Sequence, residues 1–302
     1  MEALNGGPLR SPLPEGKEVD DLRRRLKKER PKAAATAQPM DPIVFSRDLP
    51  RTAAKPAPFR PCFGGSVVLE EAVAGEVVPC PRGSTAFVVT TRLTERDGSW
   101  RAVCEGFRRC LGDPETGLGR RVGGLCECAP QPHEVLLLDL ETTGLTTGPM
   151  FLVGLLFWDG DGLVVKQYLA RDYAEEAAIA WLSLEHLRAS RLVVSFNGKT
   201  FDLPYLRTRA AANGVPYPPE PPHLDVLHEA RRVWGRRLPN CKLQTLEKHL
   251  CGRGRTDDIP GAEIPDAYHA YVRTSNAFEI VSILEHNLLD LATLAELLTR
   301  LP

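Results

Sequence analysis

Asp139-Leu140-Glu141 follows the apolar run Val135–Leu138 and precedes the turn-forming Thr142-Thr143-Gly144. On a strand, residues i and i+2 share a face, so both carboxylates project together from the strand's C-terminal end. At that spacing they repel, and each raises the other's pKa unless a cation lies between them. A divalent ion removes the conflict. Alone, such a pair is more often an exposed strand end. Its place after four apolar residues and before Thr-Thr-Gly is what marks it. A second carboxylate, Asp202, comes after the run Leu192–Phe196 and the tight segment Asn197-Gly198-Lys199-Thr200, where a helix opens. That position suits a helix N-cap, and equally a ligand at a strand end, where α/β proteins bind theirs. A third element is His286 with Asp290, four apart on a helix expected over about 276–300, hence on one face. Such a pair is either a surface His–Asp contact or a costly burial that function must use.

The elements that position these groups are legible from about Val135 onward. VLLLDL is a continuous apolar run, as expected of a central strand covered on both faces. FLVGLLFW and LVVKQYLA, separated by DGDG, predict an antiparallel hairpin. AEEAAIAWLSLEHLRAS predicts a helix with Ile179, Leu182 and Leu187 on or near one face. RLVVSF is a further strand, and FDLPYLRTRAAANG starts a helix that Gly214 ends. Three strands, a helix, a strand and then mostly helices imply a mixed sheet flanked by helices. Before this, residues 1–60 read as a flexible leader rich in Pro, Ala, Arg and Lys. Residues 61–130 read as a small β-rich extension carried by SVVLEEAV, AFVVTTRL and SWRAVCEGF. The expected main domain is 131–302.

With 302 residues, 43% of them hydrophobic, the chain can bury a sizeable core. A net charge of −1 excludes coating nucleic acid by bulk charge, although a local groove can still be basic. Basic clusters occur over 22–32 and at Arg231, Arg232, Arg236 and Arg237. No segment reaches the roughly 20 apolar residues of a membrane span, and the first residues lack the pattern of a secretory signal. The expectation is a cytoplasmic protein with its cysteines as thiols. Cys104, Cys110, Cys126 and Cys128 are spaced C-x5-C and C-x-C, which is not the paired C-x2-C of zinc knuckles, so idle thiols are the expected reading.

In fixed order, LDLETTGL, SFNGKTFDLPYL and EHNLLDLATL resemble the three acidic motifs of the DEDD exonuclease superfamily. FLVGLLFW, HLDVLHEARRVWGRRLPNCKLQTLEKHLCG and DIPGAEIPDAYHAYVRT extend the likeness to YprB-like ribonuclease H-like proteins over about 134–301. The resemblance implies an α/β ribonuclease H-like fold, an antiparallel three-strand meander joined by parallel strands. It also implies a nuclease that cuts phosphodiester bonds with two Mg²⁺ or Mn²⁺ ions, acting 3′→5′ on single-stranded DNA or RNA ends. By the same resemblance Asp139, Glu141 and Asp290 hold one ion, Asp139 and Asp202 hold the other, and His286 is the general base. Hard oxygen donors suit those ions, and His takes a proton near neutrality. Three residues separate His286 from Asp290, where superfamily members with a catalytic His usually have four. Asn197 and Phe201 are the implied contacts to sugar or base, and Leu145 is a candidate wedge against a terminal base, although a core residue is its commoner reading. Arg231 and Arg232 are candidate phosphate contacts, and Asp225 is either a helix cap or a residue behind the site. A structure-specific endonuclease or ribonuclease using the same site, and a silent nucleic-acid-binding scaffold, are the competing readings.

Overall fold

The computed structural model describes residues 66–144, 148–256 and 258–302. The leader expected over 1–60, with its basic run, and Leu145 lie outside them. Seven strands form one sheet: β1 (Glu76–Pro79), β2 (Thr85–Arg92), β3 (Val135–Thr142), β4 (Met150–Asp159), β5 (Gly162–Leu169), β6 (Leu192–Ser195) and β7 (His223–Asp225). Their order is β1-β2-β5-β4-β3-β6-β7. The first five are antiparallel to their neighbours, whereas β6 pairs parallel to β3, and β7 parallel to β6. This is the expected meander plus parallel strands, lengthened at one edge by β1 and β2. Asp159 pairs with Gly162, and Gly160 at φ 63° makes the two-residue turn between β4 and β5 that their hairpin needs.

Six longer helices flank the sheet: α1 (Trp100–Gly112), α2 (Glu176–Ala189), α3 (Asp202–Ala212), α4 (Val226–Trp234), α5 (Ile264–Thr274) and α6 (Phe278–Thr299). Apolar residues alternate along β3 between two cores. Leu136, Leu138 and Leu140 pack with Ile179 and Leu184 of α2 and Leu203 and Leu206 of α3. Val135 and Leu137 pack with Phe107 of α1, Ala230 of α4 and Leu288 and Leu291 of α6. Each fully buried Leu contributes about 2 kcal/mol, so β3, which carries Asp139 and Glu141, is anchored from both faces.

The segment read as β-rich differs from expectation. Of its three apolar runs only AFVVTTRL supplies a strand. SVVLEEAV holds the short helix Leu69–Ala72, and SWRAVCEGF lies in α1. The reason is the period: Trp100, Val103, Cys104, Phe107, Cys110 and Leu111 repeat at three- and four-residue steps and are all buried. The cysteines at 104, 110, 126 and 128 are free thiols, and burial raises those of Cys104, Cys110 and Cys126. Among the described residues no helix is long and apolar enough to cross a membrane.

Candidate active site

Asp139 and Glu141 continue the face of β3 that begins with Val135 and Leu137, and so face α6 rather than α2 and α3. Cross-strand pairing puts Asp139 beside Gly154 of β4 and Gly154 beside Gln167 of β5, a single row on one face. The fully buried Asn287 of α6 sits over the middle of that row. Its Nδ2 donates to Asp139 Oδ2 (2.8 Å), and its Oδ1 accepts from Gln167 Nε2 (2.9 Å). A Cβ on Gly154 would fall 2.1 Å from Asn287 Oδ1, so only glycine lets the helix approach here. Beyond Glu141 the ladder shifts register at Thr142, and the chain turns away. Tyr205 Oη reaches the carbonyls of Gly144 (2.9 Å) and Gly148 (2.5 Å), holding both ends of that turn to α3.

Asp202 arrives from the other side of β3. After β6, Asn197 takes a left-handed conformation (φ 70°), one that asparagine tolerates better than most residues. Gly198 follows where a Cβ would meet Ser195 Oγ at 2.2 Å. The amides of Asn197 (2.9 Å) and Lys199 (3.2 Å) both donate to Asp225, which also caps α4 through Leu227 N (3.0 Å). Asp225 therefore serves both as helix cap and as support for the turn. Asp202 is the first residue of α3 and not its cap, since Phe201 holds that place. Its carboxylate instead accepts the Leu140 amide of β3 (3.2 Å), one residue along the strand from both Asp139 and Glu141. That bond decides against the N-cap alternative.

From α6, His286 and Asp290 share one face, with Nε2 3.6 Å from Asp290 Oδ2. Two neighbours not foreseen from the sequence complete the corner. Asp258 Oδ1 lies 2.8 Å from His286 Nδ1. Arg255 Nη2 stands 2.5 Å from Asp290 Oδ1, a close and largely buried pair of opposite charge. Arg255 also contacts Asp258 (3.3 Å) and Glu247 (2.7 Å). Asp258 opens DIPGAEIP, a run whose pattern alone suggested no chemistry.

The electrostatics follow from this packing. Burial first, then the charges of Asp290, Glu141 and Asp202, hold the Asp139 carboxyl well above its usual range. Burial lifts Glu141 to about 8 against the relief given by His286, with Asp290 and Asp202 adding to the rise. Asp202 is raised to about 7 by burial, opposed by its own amide and that of Leu140. Burial alone would lower His286, but the Asp258 bond and the charges of Asp290 and Glu141 outweigh it, and its pKa is raised. Asp258 moves down because its bond to His286 and the nearby Arg255 overcome burial. Among the described residues no three His, Cys, Asp or Glu side chains close on a common point at metal-ligand distance. The carboxylates feel each other's charge without sharing a centre, and Asp290 is turned toward Arg255.

The remaining candidates are less tightly drawn in. Asn197 is exposed, with Oδ1 accepting from Thr200 Oγ1 (2.9 Å), and Phe201 is half-buried against Tyr205. Arg231 and Arg232 lie exposed on α4, Arg232 paired with Glu229 at 2.5 Å.

Residues 136–302 match the sequence model of the RNase H superfamily. The chain belongs to that superfamily. Over 170 residues, 33% are identical to an uncharacterised protein, YprB, of Bacillus subtilis (strain 168). That match covers 55% of this chain and 41% of YprB, so the chain spans less than half of that relative's length. Among solved structures, the family B DNA polymerase of Pyrobaculum calidifontis is similar at 18% identity and a TM-score of 0.44, covering 57% of this chain and 25% of that one. Escherichia coli exonuclease I with a dA16 oligonucleotide matches at 16% identity and a TM-score of 0.32, over 51% and 44%. Brucella melitensis NrnC with bound Mg²⁺ matches at 14% and 0.28, over 54% and 84%. The sheet order and the superfamily match agree: this is a ribonuclease H-like mixed sheet with its acidic corner at the C-terminal end of β3.

Proposed function

We propose that this RNase H superfamily chain is a divalent-metal-dependent nuclease that cleaves phosphodiester bonds. The observation that carries the reading is the set of carboxylates, half-buried Asp139 and Glu141 and buried Asp202, each pushed up in pKa, gathered where α6 brings His286 and Asp290. Carboxylates crowded and partly withdrawn from water in this way repel one another unless a proton or a cation resolves the conflict. Their oxygens are hard donors and fit Mg²⁺ or Mn²⁺. In this reading Asp139, Glu141 and Asp290 hold one ion, and Asp139 and Asp202 a second. When bound, such ions supply charge stabilisation to the attacking and leaving oxygens of a phosphodiester. Asn287 orients Asp139 through one carboxylate oxygen, leaving the other free to bind. The Leu140 amide does the same for Asp202. His286 Nε2 is the atom that accepts the proton of the attacking water. Asn197, Phe201, Leu145 and the α4 arginines are the substrate contacts. The motif order supports 3′→5′ action on single-stranded ends.

A silent, nucleic-acid-binding reading rests on one observation, the Arg255 guanidinium already balancing Asp290. Hydrolysis of labelled single- and double-stranded DNA and RNA with Mg²⁺ or Mn²⁺ separates the two. Wild-type activity lost in Asp139→Ala and Asp290→Ala supports the nuclease. Activity that survives both substitutions sinks the mechanism, and ion binding without nucleotide release from any substrate supports the scaffold.

A further inference from the structure

Arg253, Arg255 and Asp258 lie along one face of α6. Gly252, at φ 70°, ends a π-helical turn over Glu247–Cys251 and lets the chain change direction. Arg253 then reaches Glu296 and Thr293 Oγ1, Arg255 reaches Asp290, and Asp258 reaches His286. Residues 286, 290, 293 and 296 are spaced by four, three and three, so they form one stripe of a helix. As these three residues run forward in the chain their partners on α6 run backward, so the two sets are antiparallel. Glu247 bridges both arginines (3.4 Å to Arg253, 2.7 Å to Arg255), tying the stripe back to the π-helical turn. All of these side chains are largely buried.

From this packing we infer that Asp258 is a positioning residue for His286, and that Arg255 holds Asp258 in place. The inference rests on the nuclease reading for the role of His286, but its geometry stands apart from it. A carboxylate can only accept, so Asp258 at 2.8 Å selects the imidazole form with the proton on Nδ1. In the neutral ring Nε2 then carries the lone pair, on the side of Asp290. A base must present its lone pair to the proton it takes, so the tautomer decides whether His286 can work. With no partner on Nδ1 the ring could place its proton on either nitrogen and rotate about its bond to the helix. Arg255 lies between Asp258 and Asp290 and sets the separation of the two groups on either side of the ring.

The test uses the full chain and Asp258→Asn, which preserves shape but offers an amide that can donate to Nδ1. Nitrogen NMR of the ring, assigned by comparison with His286→Gln and recorded on the alkaline side, reads the tautomer without any metal or substrate. The wild type should carry its proton on Nδ1, and Asp258→Asn should shift it toward Nε2. In hydrolysis assays Asp258→Asn should lower kcat about 100-fold, with KM and calorimetric Mn²⁺ affinity unchanged within about twofold. Asp258→Glu should recover part of the loss. A wild-type proton on Nε2 overturns the inference, as does an unaltered kcat in Asp258→Asn. Collapse of Mn²⁺ affinity in the variant overturns it too, by making Asp258 a ligand. If the wild type cleaves nothing, the nuclease reading fails, while the NMR result still decides what Asp258 does to the ring.

Discussion

Gly154→Ala tests whether α6 is seated on the sheet by a single side chain. The added methyl would stand 2.1, 2.5 and 2.7 Å from Oδ1, Nδ2 and Cγ of Asn287, and these are its nearest neighbours. Asn287 is fully buried and cannot swing into solvent, so either the helix shifts or the amide leaves Asp139 and Gln167. Overpacking of this kind costs about 1–3 kcal/mol, and polar groups left buried without a partner add about 1–3 kcal/mol. Denaturant unfolding should therefore show Gly154→Ala destabilised by about 2–6 kcal/mol. Asn287→Ala should itself be destabilising, because Asp139 loses a donor and Gln167 keeps only the Leu284 carbonyl (2.8 Å). In the double variant the obstructing atoms are gone, and the second methyl should cost little. The coupling between the sites should reach about 2 kcal/mol. Effects that add within about 0.5 kcal/mol would refute the reasoning, because sites that share no contact behave that way.

Three other outcomes follow from the same corner. In metal-free protein, Glu141 (from 4.5 to about 8) and Asp202 (from 3.8 to about 7) keep protons in the folded state that the unfolded chain has released. Stability should therefore fall as pH rises from about 4 to about 8. Mn²⁺ should raise Tm more at the upper end of that window than at the lower, and an ion response independent of pH would count against the carboxylates as its site. Arg255→Met leaves Asp290 and Glu247 without their 2.5 and 2.7 Å partner, a loss of about 3–5 kcal/mol by chemical denaturation. Mn²⁺ should return part of that stability, and no destabilisation would show that the pair is not held in solution. Tyr205→Phe frees the carbonyls of Gly144 and Gly148 and should cost about 1 kcal/mol. It should raise KM for oligonucleotides, and an unchanged KM would remove the turn after Glu141 from substrate binding.

Local patterns made some of this legible in the sequence and hid the rest. The i, i+2 placement of Asp139 and Glu141 depends only on strand geometry, and the i, i+4 placement of His286 and Asp290 only on helix geometry. Asp202 was ambiguous because a carboxylate opening a helix reads as a cap. Only the Leu140 amide, 62 residues away in the chain, shows its other use. Arg255 and Asp258 had no local signature, since their partners lie some 30 residues on and their segment has no period of its own. Gly154 and Gln167 gave no sign for the opposite reason. Inside apolar strands they look like defects, and they acquire meaning only when Asn287 is laid across the row. SWRAVCEGF was misread because a short apolar run looks alike in strand and helix, and its helical period emerges only when Cys110 and Leu111 are counted with it.

Charge balance explains why the corner divides into two parts. Glu247, Asp258, Asp290 and Glu296 are matched by Arg253, Arg255 and Arg300, with His286 bonded to Asp258. That stripe is close to neutral by its own means. Among the described residues Asp139, Glu141 and Asp202 have no such arginine: Asp139 is bonded by Asn287 and Asp202 by the Leu140 amide, which orient charge without cancelling it. A proton or a cation must neutralise them, and their pKa values are raised accordingly. Asp290 lies where the two parts meet. It raises the pKa of Asp139 and Glu141 while it leans on Arg255. A cation drawn to the β3 pair must then compete with a guanidinium for the same carboxylate. If so, Arg255→Met should tighten Mn²⁺ binding as it weakens the metal-free fold. A variant that lost both stability and affinity would instead make Arg255 a support for the site and not a rival within it.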